Sequence, residues 1–321
     1  MASYIIGTGS FLPDRIVTNS ELEKATGLNE DEIKKRTGII ERRMVSDEEA
    51  SSDIAAAASL NAISNADIKA DEIDYIILST TSPDMLFPST ACLIQKKISA
   101  LKASAFDISA SCSGFIFALS IADQYLKNGM GDIILVAASE VKSKFINKRD
   151  KATSILFSDG AGVLLLKNTK GDRGILSTHL YSDGSKGDLI HLSRYCQKNS
   201  TLLRPFQYIE MQGGKLFKIA VTKIEEAIIA LLNHHKISLS DIDHIILHQA
   251  NLRIINHLIK RLNIPRQKVV ITIDRYGNTS SSTIPIALDY AVKNGRIKSD
   301  DLILLASFGG GITWGSALIR W

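Results

Sequence analysis

The chain has only three cysteines, Cys92, Cys112 and Cys196. An odd number without metal-ligand spacing argues against both a disulfide framework and a zinc site. No stretch approaches the roughly 18 apolar residues that a membrane helix needs. The opening MASYIIGTGSFLPDR lacks a basic segment followed by a sustained apolar one, so no leader is read there. A cytoplasmic protein with no membrane partner is therefore expected. No Lys/Arg block stands out; a net charge of +4 and a pI near 8.8 suit an acidic partner but fall short of a nucleic-acid footprint. A dinucleotide fingerprint is also missing, because Gly7-Thr-Gly9 lacks the third glycine at the required step and precedes no clear βαβ helix. What is present is an ordinary globular composition, 45% hydrophobic and 22% charged over 321 residues, able to bury a large core.

The most informative feature is internal. Asp71-Glu-Ile-Asp-Tyr-Ile-Ile-Leu-Ser79 resembles Ser240-Asp-Ile-Asp-His-Ile-Ile-Leu-His248, so that Ser79 stands opposite His248. Phe106 to Ser139 likewise matches Ile273 to Ser307, an alignment that sets Asn278 opposite Cys112. A repeat of this length is too long for a solenoid unit of about 20 to 50 residues. It reads as duplication of a whole α/β half, with the boundary near residue 170 and halves at 1–170 and 171–321.

Apolar β-branched runs alternate with amphipathic segments, the α/β signature. Strands are expected at Tyr75 to Ser79, Ala105 to Ile108, Ile133 to Ala137, Gly162 to Leu166, Ile245 to Leu247, Val269 to Ile273, Ile303 to Ala306 and Ser316 to Ile319. Helices are expected at Asp53 to Ser64, Thr90 to Ile98, Ser113 to Asn128, Leu216 to His234, Leu252 to Leu262 and Thr283 to Asn294. Asn128-Gly129 and Asn294-Gly295 supply matching helix stops in the two copies. Lys170 to Pro205 has no long period and is read as the crossover. Strands apolar on both faces imply helices on both sides, hence two sheets sharing a helix layer in a five-layered α/β fold.

Cys112 lies in Asp107-Ile-Ser-Ala-Ser-Cys-Ser-Gly-Phe115, at a strand-to-helix corner. There the helix N-terminus favours a thiolate and lowers its pKa, and free N–H groups can bind an oxyanion. The bland alternative is a buried cysteine acting as a small hydrophobe. His248 ends a strand in Leu247-His-Gln-Ala-Asn251, where an imidazole can act as donor or base. Asn278, in Tyr276-Gly-Asn-Thr-Ser280, is by default a turn residue. The duplication makes all three converge around a pseudo-twofold axis. The glycine-rich Ser307-Phe-Gly-Gly-Gly-Ile-Thr-Trp-Gly315 is either a tight hairpin or a place where backbone approaches a ligand.

ASCSGF around Cys112, HQANLRI from His248, YGNTSSSTIP around Asn278 and the terminal FGGGITWGSAL together resemble β-ketoacyl-[acyl-carrier-protein] synthase III of the thiolase superfamily, over essentially Tyr4 to Trp321. The resemblance implies the thiolase-like αβαβα fold and a decarboxylative Claisen condensation that initiates fatty acid synthesis from acyl-CoA and malonyl-acyl carrier protein. It makes Cys112 the acylated nucleophile, with the Cys112 and Gly310 N–H groups as oxyanion hole and His248 and Asn278 as donors to the malonyl-derived enolate. It requires no metal or other cofactor. It also implies a homodimer in which Phe87 walls the acyl pocket across the interface, and docking of the carrier protein on Arg253, Lys260 and Arg261. Arg36 and Asn251 are expected at the substrate site.

The chain departs from the family pattern in the donor site. Glu32 stands where an adenine-stacking tryptophan is expected, Lys151 where an arginine is, and Gly214 where an asparagine near the pantetheine arm is. A carboxylate in place of an aromatic removes a stacking surface worth about 1 to 3 kcal/mol by analogy with base stacking elsewhere, and repels phosphates. That leaves open a specialised condensing enzyme, or an acyltransferase, fed by a carrier protein. A degradative thiolase would carry a second cysteine near Ser307-Phe308-Gly309, and a non-catalytic partner would lack Cys112.

Overall fold

The computed structural model describes residues 2–192 and 208–321. The first half runs β1 (Ala2–Phe11), β2 (Arg15–Thr18), α1 (Asn19–Thr26), α2 (Glu30–Thr37), β3 (Glu41–Met44), α3 (Ser51–Ala66), β4 (Tyr75–Ser79), α4 (Thr90–Lys97), β5 (Ser104–Ile108), α5 (Gly114–Lys127), β6 (Ile133–Val141) and β7 (Asp159–Thr169). There follow β8 (Gly174–Ser182), β9 (Ile190–His191), β10 (Glu210–Met211), α6 (Gly213–His235), β11 (His244–Leu247), α7 (Leu252–Arg261), α8 (Ile273–Tyr276), α9 (Thr283–Lys293), β12 (Leu302–Gly309) and β13 (Thr313–Arg320).

Two sheets carry the architecture, one in the order β1-β7-β6-β4-β5 and one in the order β11-β12-β13-β8. Strands β6 and β12 are buried at every residue, as central strands covered on both faces must be. Helix α3 packs on β1 and β7, and α4 on β5, outside the first sheet; α6 packs on β12 and β13 outside the second. Between the sheets lie α5 and α9, in one core cluster that joins Phe115, Ile116 and Leu119 to Ile284, Ala287 and Leu288. The outer cores are separate. The result is the five-layered α/β arrangement expected.

The two central helices stop in the same way. Gly129 and Gly295 adopt φ +70° and +64°. Their N–H groups reach Leu126 O and Val292 O at 3.1 and 2.9 Å, as left-handed glycines past a helix end do.

Several features differ from the sequence reading, including β2, α1, α2 and β3, where no element was expected. Strand β1, unforeseen, pairs antiparallel with β7; its Gly7 and Gly9 lie so close to α3 that a Cβ on Gly9 would sit 2.3 Å from Ala58 O. Gly174–Ser182, within the expected crossover, is strand β8, paired with β13; the part of that crossover from 193 to 205, with Cys196, lies outside the described residues. Val269 to Ile273 is not a strand. Only Val269 bridges Ile245, because the Gln249 side chain donates to Val270 O at 3.3 Å and accepts from Thr272 N at 3.1 Å, taking the groups a neighbouring strand would use. Among the described residues, no helix is long and apolar enough to cross a membrane.

Candidate active site

After β5 the chain turns sharply through Ser111, whose φ of +51° places a non-glycine residue in the left-handed region. The next residue is Cys112, and α5 begins at Gly114. A Cβ on Gly114 would lie 2.1 Å from Ser79 Oγ, so only glycine lets the helix start against the end of β4. The corner is tied down from the second half: Ser307 Oγ donates to Cys112 O at 2.8 Å, and Ser113 Oγ donates to Thr313 Oγ1 at 2.8 Å. A Cβ on Gly309 would lie 2.7 Å from Cys112 N, which explains the first glycine of the terminal run.

The second half repeats this corner. Ser280 has φ +57° and opens a one-turn 3-10 segment, Ser280–Ser282, that leads into α9, just as Ser111–Ser113 leads into α5. In this register Cys112 corresponds to Ser281, the same offset that pairs Ser79 with His248. The placement of Asn278 opposite Cys112 is thereby corrected. Helix α9 is three residues shorter than α5, and an alignment anchored on the shared Asn-Gly stops carries that difference back onto the corner.

Burial pushes the Cys112 thiol up; the Ser280 hydroxyl and the Lys142 charge oppose the shift, and Glu140 adds to it. The lowered value expected from the helix N-terminus alone is thus outweighed by desolvation. Sγ lies 3.3 Å from Ser280 Oγ. Ser280 Oγ in turn donates to the buried Glu140 carboxylate at 3.2 Å.

His248 continues from β11, with its N–H on Ala306 O at 2.9 Å. Its ring is 3% exposed, and burial holds its pKa down to about 3, so the imidazole is neutral. Nδ1 meets Thr283 Oγ1 at 2.7 Å, leaving Nε2 as the other functional nitrogen. Asn278 is fixed by its backbone against Leu156 and Ser158 and by Oδ1, which accepts from Ser280 N at 2.9 Å. Its amide nitrogen makes only a 3.5 Å contact with Ala250 O.

Two cavities meet at Cys112. One, about 490 Å³, is lined by Cys112, His248, Asn278, Gly309 and Gly310 among others. The other, about 610 Å³, extends past Cys112 between Thr81, Lys142, Phe145 and Ile209. Cys112, Phe157, Ile190 and Gly310 border both. The structure therefore brings together the three side chains picked from sequence, and sets Gly310 beside them.

Arg36, Lys151, Gly214, Asn251 and Arg253 all line the 490 Å³ cavity. Glu32 is explained locally: it closes the capping box of α2, its Oε2 accepting from Asn29 N at 3.1 Å, and its Oε1 lies 3.8 Å from Arg36. Arg253, Lys260 and Arg261 of α7 are all exposed, in different settings. Arg253 lies over the Phe217 ring at 5.8 Å beside the cavity, whereas Arg261 is paired with Glu225 at 2.7 Å; Lys260 is exposed. Phe87 is 82% exposed and does not line either cavity, although Met85 and Leu86 line the larger one.

Sequence reasoning missed Lys142, Glu140, Ser280, Thr283 and Lys218. Lys218 joins the cations lining the smaller cavity. Ser280 and Thr283 stand in the quoted YGNTSSSTIP run, and aligning the corners instead of the helix stops would have exposed Ser280. Nothing in the local pattern marks Lys142.

A family model for 3-oxoacyl-[acyl-carrier-protein (ACP)] synthase III matches residues 106–184, and the model for its C-terminal part matches 232–321. The β-ketoacyl-[acyl-carrier-protein] synthase III of Desulfotalea psychrophila is 44% identical over 325 residues, covering 100% of both chains; that of Xanthomonas campestris is 43% identical over 327 residues, covering 99% of this chain and 98% of the relative. The crystal structure of 3-oxoacyl-[acyl-carrier-protein] synthase III from Aquifex aeolicus superposes with a TM-score of 0.93 at 42% identity, each chain covered in full. A cysteine at a strained corner, a neutral histidine and an asparagine around one cavity, in a five-layered duplicated fold matched end to end by these relatives, show that the chain belongs to the β-ketoacyl-[acyl-carrier-protein] synthase III family of acyltransferase-type condensing enzymes.

Proposed function

We propose that this enzyme initiates fatty acid synthesis by condensing acyl-CoA with malonyl-acyl carrier protein. Cys112 sulfur attacks the thioester carbonyl, the carbon–sulfur bond to coenzyme A breaks, and the departing thiolate takes up the cysteine proton. The Cys112 and Gly310 N–H groups hold the oxyanion. Malonyl-carrier protein then loses CO₂, leaving its electron pair as an enolate whose oxygen accepts from His248 Nε2 and Asn278 Nδ2. The enolate carbon bonds to the acyl carbon, the bond to Cys112 breaks with its electron pair on sulfur, the thiolate takes one proton from solvent, and β-ketoacyl-carrier protein leaves. The two half-reactions balance with thioesters, CO₂ and protons, and no redox group enters them.

The observation that carries this reading is the convergence of Cys112, His248 and Asn278 on one cavity of about 490 Å³. Arg36, Lys151, Lys218 and Arg253 give that cavity a cationic lining suited to the phosphates of coenzyme A or of a phosphopantetheine arm. An acidic carrier protein docks there on Arg253 and Lys260, with Arg261 held back by Glu225. Met85, Leu86 and Phe87, exposed at 46, 63 and 82%, cover themselves in a homodimer and set Phe87 against the partner's larger cavity. We place the enzyme in the cytoplasm. A carrier-fed specialised enzyme is less favoured, since relatives at 42 to 44% identity over the whole chain are named synthase III.

Intact-protein mass after exposure to acetyl-CoA tests the first half-reaction. An acyl adduct that is absent in Cys112→Ala supports it, and no adduct from any acyl donor overturns it. CO₂ release from malonyl-carrier protein, lost in His248→Ala, tests the second and separates condensation from plain acyl transfer.

A further inference from the structure

Strand β6 is buried throughout, yet its eighth residue is Glu140 and the residue after its end is Lys142. The pair is enclosed, with side chains 0% and 7% exposed and Oε2 and Nζ 3.0 Å apart. The carboxylate is saturated: Oε1 accepts from Ser280 and Ser281 hydroxyls at 3.2 and 3.0 Å, and Oε2 from Ser82 Oγ at 2.6 Å and Thr81 N at 3.2 Å. The ammonium is not. It carries three hydrogens, and among the described residues only Glu140 and the Thr81 hydroxyl take them.

Lys142 also borders the larger cavity past Cys112, whose walls include Phe145, Phe157 and Ile209. A ligand entering that space meets apolar walls interrupted by hydroxyls such as those of Thr81, Ser109 and Ser280, and among the described residues Lys142 is the one lysine or arginine of the lining. A saturated chain laid over Lys142 shuts solvent away from its third hydrogen and offers nothing in return, the costly case of a buried donor left unmade. An acyl group with an oxygen beyond the thioester carbonyl restores that hydrogen bond. A terminal carboxylate is less suited, because Asp107, whose carboxylate accepts from Thr90 N and Ala91 N at 2.7 and 2.8 Å, stands in the same lining.

We propose that Lys142 is a specificity-determining residue: it disfavours saturated chains longer than the shortest starters and favours acyl groups bearing a neutral hydrogen-bond acceptor. The proposal rests on the preceding assignment of Cys112 as the acylated nucleophile.

The test uses the full-length enzyme with N-acetylcysteamine thioesters of acetate, hexanoate and 3-hydroxyhexanoate, followed by intact mass. In each, the Cys112 sulfur–acyl bond forms, the thioester bond breaks and N-acetylcysteamine leaves with the proton. The 3-hydroxyhexanoyl group is expected to load about tenfold faster than hexanoyl, the scale of one hydrogen bond to a charged group. That ratio should fall to about one in Lys142→Met and in the charge-neutral double variant Glu140→Gln/Lys142→Met. A ratio of two donors on one enzyme cancels any change in thiol reactivity. Hexanoyl loading as fast as 3-hydroxyhexanoyl in the wild type, or a preference that survives both variants, overturns the proposal alone. No adduct from any of the three thioesters overturns the condensation reading, and this inference with it.

Discussion

Thr283→Val isolates the support beneath His248. The Thr283 hydroxyl faces His248 Nδ1 at 2.7 Å, Gln249 N at 3.3 Å and Ser280 O at 3.1 Å. It has one hydrogen to give. Given to Ser280 O, it makes Nδ1 the protonated nitrogen and leaves Nε2 bare. Given to Nδ1, it puts the imidazole hydrogen on Nε2, the tautomer that donates to an enolate oxygen. Valine keeps the branched shape, removes this control and leaves Nδ1 and the Gln249 N–H without their oxygen. A buried group left unpaired costs about 1–3 kcal/mol, so CO₂ release from malonyl-carrier protein should slow about 5- to 150-fold. Acylation of Cys112, which does not use the imidazole in this scheme, should stay within about twofold, and Thr283→Ser should recover most of the loss. Unchanged decarboxylation in Thr283→Val, or an equal fall in both half-reactions, would refute the reasoning.

Four further outcomes are expected. Because burial lowers the His248 pKa to about 3, the unfolded chain takes up that proton first as pH falls; the resulting stability is complete above about 6.5 and is lost from there toward 3. Denaturant midpoints should show wild type losing more stability than His248→Gln across that window. Ser280→Ala removes a hydroxyl whose one hydrogen, held by Glu140, can turn to a Cys112 thiolate, so alkylation of Cys112 by iodoacetamide at neutral pH should slow about tenfold; an unchanged rate would remove Ser280 from the site. Phe87→Glu should turn a dimer into a monomer in sedimentation, whereas a monomeric wild type would end the interface proposal. Arg36→Glu with Arg253→Glu should raise KM for acetyl-CoA while leaving acylation by the N-acetylcysteamine thioester unaltered; equal loss with both donors would point to misfolding instead of lost phosphate contact.

The parts of the molecule that show in the sequence are those whose local pattern and global role agree. Strand β4 and helices α5 and α9 are apolar at the right period and end in turn chemistry, and their limits fall within a residue or two of those expected. Strand β1 was hidden because Gly7 and Gly9, required by the close approach of α3, break the alternation that signals a strand. Val269 to Ile273 misled for the opposite reason: its residues suit a strand, but the Gln249 side chain occupies its backbone. At the site, Cys112 and His248 were legible through duplication and family likeness, and Asn278 through family likeness alone, since the register that set it opposite Cys112 was three residues off. Lys142 was not, since a single charge after a buried strand has no period, and its meaning depends on a cavity built by distant segments. Glu32 was legible as a departure but not in its cause, a helix cap completed within α2.

Because Cys112 stands where the two cavities join, the routes of acyl group and thioester arm diverge at the sulfur. In the proposed reaction the acylated thiol would store its cargo on the side of Lys142, while the side of His248 and Asn278 would be vacated by coenzyme A and reoccupied by the malonyl arm. Both arms would use that one cavity of about 490 Å³. Ping-pong kinetics are therefore expected of the proposed reaction: double-reciprocal plots against one substrate at several levels of the other should run parallel, and free coenzyme A, re-entering the emptied side, should compete with malonyl-carrier protein.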